Sequence, residues 1–124
     1  MPAKRILIVD NYRDVTWVYG RLLAGAGYDV REENDSMHVL EAAREFKPDL
    51  MLLDVFMPGM GGCEIAKQFA SEEIFKSLPV VFMSGSSERE VSHTMHPLHV
   101  VFLEKPIDLK MLFSCVREQV QKAA

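Results

Sequence analysis

The sequence predicts an α/β domain, a parallel sheet of five strands with helices on both faces. Three observations predict it. Short unbroken apolar runs rich in Val, Ile, Leu and Phe recur at residues 6–9, 50–53, 80–83 and 100–103, as in strands buried on both faces. The segments between them carry helical spacing. Glycine, proline and capping residues stand at the segment edges, so strand and helix alternate. That alternation gives a parallel sheet joined by right-handed crossovers.

The first strand is Ile6-Leu7-Ile8-Val9. A helix over about 13–26 follows, with Val15, Val18, Tyr19 and Leu22 on one face and Gly25 and Gly27 to stop it. Residues 28–33, with Val30 inside, form a second and more polar strand. Asp35 or Ser36 caps the next helix, which carries Val39, Leu40, Ala43 and Phe46 and stops before Pro48. The third strand is Leu50-Met51-Leu52-Leu53, and its helix runs from Gly62 or Cys63 to about Ala70. Beyond the fourth strand, a short helix near 88–95 ends before Pro97. The fifth strand leads into a last helix over about 109–122, where Leu109, Leu112, Val116 and Val120 recur at helical spacing.

Length and composition exclude several functions. With 124 residues, 48% hydrophobic and 26% charged, residues 1–124 hold one ordinary core and a single domain. A two-domain enzyme does not fit. Fourteen Lys plus Arg stand against eighteen Asp plus Glu for a net charge of -4, and no basic run exceeds Lys4-Arg5, so no direct nucleic-acid binding is expected. The apolar runs are too short for a membrane helix. Four apolar residues before Asp10 are too few for a secretory signal, so a cytoplasmic protein is expected. Cys63 and Cys115 match neither a redox pair nor a zinc set.

In open parallel sheets the functional crevice lies at the carboxyl ends of the strands. Four of the strands place Asp10 and Asn11, Asp54, Ser84, and Lys105-Pro106 there. One strand-end Asp alone is ordinarily a cap or a turn; four polar strand ends at one crevice point to chemistry. Two carboxylates and an amide oxygen suit magnesium, which takes one or two carboxylates, waters and phosphoryl oxygens. A carboxylate facing that metal can attack phosphorus. Lys105 and the Ser84 hydroxyl would then hold the phosphoryl oxygens.

The segments Ile6-Leu7-Ile8-Val9-Asp10, Leu52-Leu53-Asp54-Val55-Phe56-Met57-Pro58-Gly59, Val81-Phe82-Met83-Ser84-Gly85 and Leu103-Glu104-Lys105-Pro106 resemble the four signature segments of bacterial two-component response-regulator receiver domains, of the chemotaxis-regulator type. The resemblance spans nearly the whole chain and implies a flavodoxin-like fold with strand order 2-1-3-4-5. It implies that Asp54 accepts phosphate from a sensor histidine kinase or a histidine phosphotransfer protein. It also implies a magnesium ion held by Asp10, Asp54, Asn11 and the Phe56 carbonyl, a switch made of Ser84 and Phe102, and a cis peptide at Lys105-Pro106. Such a domain is a switch rather than a turnover enzyme, and it controls an effector protein or an output domain for which 124 residues leave no room.

Three departures stand out. Asn11 occupies the place of a second acid, which weakens magnesium binding and raises the alternative of a phosphorylation-independent interaction domain. Gly61-Gly62 replaces the usual Asp-Gly, which loosens that loop. The Gly-Ala pair common before the fifth strand is absent.

Phe56, two residues past Asp54, either packs or shields the acyl phosphate from water. Trp17 lies off the apolar face of the first helix and is a partner-contact candidate, as exposed tryptophans at binding surfaces are. Met111, flanked by Cys115, projects away from the buried stripe of the last helix, on a face where receivers pair with a second copy or an output partner. His93, His96 and His99 read as surface residues, because Pro97 keeps them off a common helix face. Asp14 could substitute for the acid missing at Asn11, but a first-turn acid favoured by the helix dipole is the simpler account. Phe56 also argues against aspartyl-phosphate phosphatases of the haloacid dehalogenase type, which want an acid there. Asp10-Asn11-Tyr12-Arg13 is the wrong chemistry for a flavin phosphate loop.

Overall fold

A computed structural model describes residues 2–85 and 101–122. Five parallel strands, β1 (Arg5–Val9), β2 (Asp29–Glu33), β3 (Leu50–Asp54), β4 (Val80–Ser84) and β5 (Val101–Glu104), lie in the order β2-β1-β3-β4-β5. The described helices are α1 (Arg13–Gly25), α2 (Val39–Phe46), α3 (Gly62–Ala70) and α4 (Leu109–Lys122). The expected helix near 88–95 and the three histidines there lie outside the described residues.

Strand alternation divides the core in two. Leu7, Val9, Met51, Leu53 and Phe82 face Val39, Ala42 and Ala43 of α2 and Ile65 and Phe69 of α3. On the other side, Ile6, Ile8, Leu50, Leu52, Val81 and Met83 face Leu23 of α1 and Leu112, Val116 and Val120 of α4. Every residue of β3 is buried, which is why its sequence is unbroken Leu and Met before Asp54. Burying each such side chain stabilises the fold by roughly 1.5–3 kcal/mol. As an edge strand, β2 has one paired side only, and its Asp-Val-Arg-Glu-Glu sequence follows from that exposure.

The inward face of α1 differs from the expected one. Thr16, Gly20 and Leu23 are its buried residues, whereas Val18 is 44% exposed. The reason is Gly20, where an added Cβ would already touch Val30 and Glu32 at 3.5 Å. The helix seats on β2 at that glycine, and apolar periodicity does not register a residue without a side chain. In α4, Leu109 is likewise exposed in the first turn, and the buried stripe begins at Leu112. Gly27 takes the positive φ that ends α1, and Lys47, with φ 53°, ends α2 ahead of Pro48.

Candidate functional site

The crevice is assembled from residues adjoining the strand ends. Asp10 follows β1 and stays beside β2 through its N–H, which donates to the Glu33 carbonyl at 3.2 Å. It is 0% exposed. One carboxylate oxygen, Oδ1, accepts from the Tyr12 N–H at 3.0 Å, and the other, Oδ2, accepts from Lys105 Nζ at 2.6 Å. Asp54 closes β3, buried, with Oδ1 3.3 Å from the same ammonium. Ser84 closes β4, also buried, and its carbonyl accepts from the Lys105 N–H at 2.7 Å. The peptide bond between Lys105 and Pro106 is cis. Thus the lysine that ends the last strand reaches the acids that end the first and third.

Burial and then the charge of Asp10 push the Asp54 carboxyl above its ordinary range; the Lys105 charge and hydrogen bond, and the Phe56 N–H, only partly offset this. For Lys105 the balance is reversed. Burial disfavours its ammonium form, yet the hydrogen bond to Asp10 and the charges of Asp54 and Asp10 outweigh burial and raise its pKa.

Asn11 supplies the test of whether a cation suits this place. Its side-chain oxygen Oδ1 is buried and accepts no hydrogen bond among the described residues. A buried acceptor without a donor is costly, and a cation removes that cost. No trio of His, Cys, Asp and Glu is gathered to hold a metal among the described residues. Two carboxylates and this amide oxygen are hard oxygen donors, of the kind a divalent cation takes. Asp14 is exposed and takes no part in these contacts.

The loop after Asp54 is held tightly, contrary to the looseness expected of Gly61-Gly62. The Gly62 N–H donates to the Val55 carbonyl at 2.8 Å. A Cβ on Gly62 would sit 2.3 Å from the Asp54 carbonyl oxygen, so the glycine permits α3 to start against the backbone of the candidate phosphoacceptor. Gly61 is merely the residue before the helix.

Among the remaining expected residues, the Phe56 side chain is 56% exposed beside the crevice and Phe102 is half-buried in β5. Trp17 and Met111 lie outside the crevice, at 57% and 62% exposure, and the Arg21 guanidinium stands 5.4 Å from the centre of the Trp17 ring. Sequence reasoning missed a supporting layer. Asn34 Nδ2 donates to the Asp10 carbonyl at 2.8 Å and to Thr16 Oγ1 at 2.9 Å. Ser36 Oγ donates to the Pro58 carbonyl at 2.7 Å and accepts from the Met60 N–H at 3.0 Å. Extending the strand-end rule to β2 would have flagged Asn34; nothing local marks Ser36, which resembles a helix cap.

The fold and the crevice together define a flavodoxin-like α/β domain whose strand ends carry acids and a lysine. Residues 6–117 match the response regulator receiver domain, and the chain belongs to that family, the receivers of two-component signalling. It is 30% identical over 116 residues to the DNA-binding transcriptional regulator NtrC of Escherichia coli, covering 93% of this chain and 24% of that protein. It is 28% identical over 120 residues to the DNA-binding response regulator MtrA of Mycobacterium tuberculosis, covering 96% of this chain and 51% of that protein. The chain thus spans a quarter to a half of these relatives. Its low basic charge speaks for these 124 residues only, because both relatives are named as DNA-binding.

Among solved structures, the receiver domain of the hybrid histidine kinase CckA superposes with a TM-score of 0.76 at 36% identity, over 94% of this chain and 98% of that one. The response regulator TrrA of Thermotoga maritima, solved in complex with Mg(2+)-BeF, shares the fold with a TM-score of 0.81 at 22% identity, over 94% and 98%. No helix among the described residues is long and apolar enough to cross a membrane.

Proposed function

We propose that this receiver takes a phosphoryl group onto Asp54 from a sensor histidine kinase or a histidine phosphotransfer protein. The single observation that supports this most is the convergence of two buried carboxylates, Asp10 and Asp54, on the Lys105 ammonium. The Asp54 carboxylate, held by Lys105 through Oδ1, is the natural nucleophile toward phosphorus. Asp10, Asp54, the Asn11 amide oxygen and the Phe56 carbonyl would hold a magnesium ion. When bound, that ion neutralises charge on the phosphoryl oxygens. Lys105, whose side chain keeps 22% exposure, would meet those oxygens, and Ser84 would donate its hydroxyl to one of them.

Phosphorylation replaces the single charge of the Asp54 carboxylate by about -1.5 to -2 charges on the acyl phosphate at the end of β3. In this reading that charge draws in Ser84 and Lys105, Phe102 follows, and the altered surface engages an effector protein or output domain, with Met111 on the candidate pairing face and Trp17 on the candidate kinase-facing surface. The domain is a switch and not a turnover enzyme.

The test is treatment with acetyl phosphate and magnesium. The expected result is addition of one phosphate by mass, abolished by Asp54→Asn. Absence of the adduct from a folded protein, with beryllofluoride also failing to perturb the fluorescence of Trp17, would refute it. That result would favour the second reading, a phosphorylation-independent interaction domain, for which Asn11 in place of an acid is the supporting observation.

A further inference from the structure

We propose that the turn after β2, which contributes no ligand, is a brace that fixes the spacing of the two cation-bearing loops, with Asn34 and Ser36 as its positioning residues. This inference rests on the receiver reading above. The donor set divides between two loops from different strands: Asp10 and Asn11 after β1, and Asp54 and the Phe56 carbonyl at and after β3. Magnesium demands near-ideal octahedral geometry at 2.0–2.1 Å. Such a site needs its two loops held in register to within about 0.5 Å.

The turn reaches both loops. Asn34 grips the first by the Asp10 carbonyl and by Thr16 Oγ1, and the Thr16 hydroxyl itself donates to the Arg13 carbonyl at 3.1 Å, so the bend between β1 and α1 is pinned at both ends. Ser36 grips the second by the Pro58 carbonyl and the Met60 N–H. Gly59 makes the second contact possible: it adopts φ +88°, and a Cβ there would stand 2.8 Å from Ser36 Oγ.

The turn itself is stiffened from within. Glu33 Oε2 accepts from the N–H groups of Asn34 and Asp35 at 3.1 Å each, and Asp35 Oδ1 accepts from the Met37 N–H at 2.9 Å. Thr16 and Ser36 are buried. The bonds that Thr16 and Ser36 make are therefore partly shielded from water, where a hydrogen bond is electrostatically stronger. A side-chain amide and a hydroxyl thus join the two loops at the end of the crevice away from the Lys105 ammonium, which itself bridges Asp10 and Asp54. Because neither residue touches the cation in this scheme, each acts through a neighbour's backbone, as outer-shell partners of metal ligands do.

The experiment is a magnesium titration followed by the amide NMR shifts of Asn11 and Phe56, one reporter on each loop. It compares the wild-type chain with Asn34→Ala, Ser36→Ala, Thr16→Val and Thr16→Ser. Thermal unfolding without magnesium reads structural damage separately, and the titrations run well below every melting point. The expected result is magnesium affinity about tenfold weaker in Asn34→Ala and Ser36→Ala, the lower end for lost outer-shell partners. Thr16→Val should weaken it and Thr16→Ser, which keeps the hydroxyl, should restore it. Saturation in the wild type with variant affinities within twofold of it overturns the brace alone. No saturable shift in the wild type overturns the proposed cation site and the brace with it. Should Asn34→Ala fail to fold, the Thr16 pair decides, since equal affinities in the valine and serine variants overturn the proposal.

Discussion

Replacing Gly62 by alanine perturbs the crevice through contact alone. The added Cβ would lie 2.3 Å from the Asp54 carbonyl oxygen, 2.9 Å from Val55 Cα and 3.1 Å from the Asp54 carbonyl carbon. All three are backbone atoms at the end of a buried strand, so none can rotate aside. Relief requires the start of α3 to retreat by about 1 Å, since carbon atoms sit comfortably near 3.5–4.0 Å from their neighbours. Overpacking of this kind costs roughly 1–3 kcal/mol. Retreat also stretches the bond from the Gly62 N–H to the Val55 carbonyl, worth about 1 kcal/mol. Alanine recovers about 0.4–1 kcal/mol by restricting the unfolded chain. The net expectation is a loss of about 1–3.5 kcal/mol. Gly61→Ala is the control, because its Cβ would meet only the Val55 carbonyl oxygen at an ordinary 3.6 Å and its φ of -69° suits any residue. It should change stability by less than about 0.5 kcal/mol, the scale of a neutral surface change. Urea denaturation followed by circular dichroism measures both. A Gly62→Ala protein within 0.5 kcal/mol of wild type, or a Gly61→Ala protein that loses as much as it does, would refute the contact argument.

Lys105→Met leaves two buried carboxylates without their cation and should destabilise the domain by roughly 3 kcal/mol at neutral pH, the low end for orphaning a buried charge because Lys105 is partly exposed; a loss under about 1 kcal/mol in denaturant titration would show that the triad is not held by this ammonium. Asp54→Asn should be more stable than wild type at pH 8 without divalent cations, since the folded state holds the Asp54 proton more tightly than the unfolded state does. The sign follows from linkage: wild type loses stability as pH climbs from the ordinary value of 3.8 through the raised folded value, so the variant's advantage grows over that window and vanishes below it. A variant less stable than wild type at pH 8 would contradict this. Phe56→Asn should shorten the lifetime of the phosphorylated protein severalfold by admitting water beside Asp54, read as the decay of the phosphate adduct, and an unchanged half-life would remove the shielding role.

The strands were legible because a strand buried on both faces has no polar alternative, and β3 states this most clearly. The crevice was legible for the same reason: Asp10, Asp54 and Ser84 are the first polar residues after apolar runs, Lys105 is the second after its run, following Glu104, and topology brings such positions together. The seating of α1 was not, because it depends on Gly20, whose contribution is an absent side chain. Nor was the role of Gly62, which in isolation signals freedom and in the fold marks close approach. Thr16, Asn34 and Ser36 escaped for a further reason. Their partners are chiefly carbonyls and N–H groups of loops that adjoin them only after folding, and a backbone group has no sequence signature.

The charges of the crevice show what an amide at position 11 does. Asp10 already has a donor on each carboxylate oxygen, from Tyr12 and Lys105, and Asp54 has the Lys105 ammonium and the Phe56 N–H. Two carboxylates and one ammonium sum to -1; an acid at position 11 would make -2. In so buried a place each further unpaired charge costs several kcal/mol, and Lys105 is the one cation the described residues bring to these acids. The neutral amide therefore stabilises the cation-free state. It does so at the expense of the electrostatic gain that a divalent cation would find there. The orphaned oxygen of Asn11 restores part of that gain, since it is the one acceptor in the crevice whose desolvation nothing else among the described residues offsets. Stability without the cation and affinity for it are thus set against each other at a single residue. That opposition makes the register of the loops around Asn11 and Phe56 matter more here than in a site with a third carboxylate to spare.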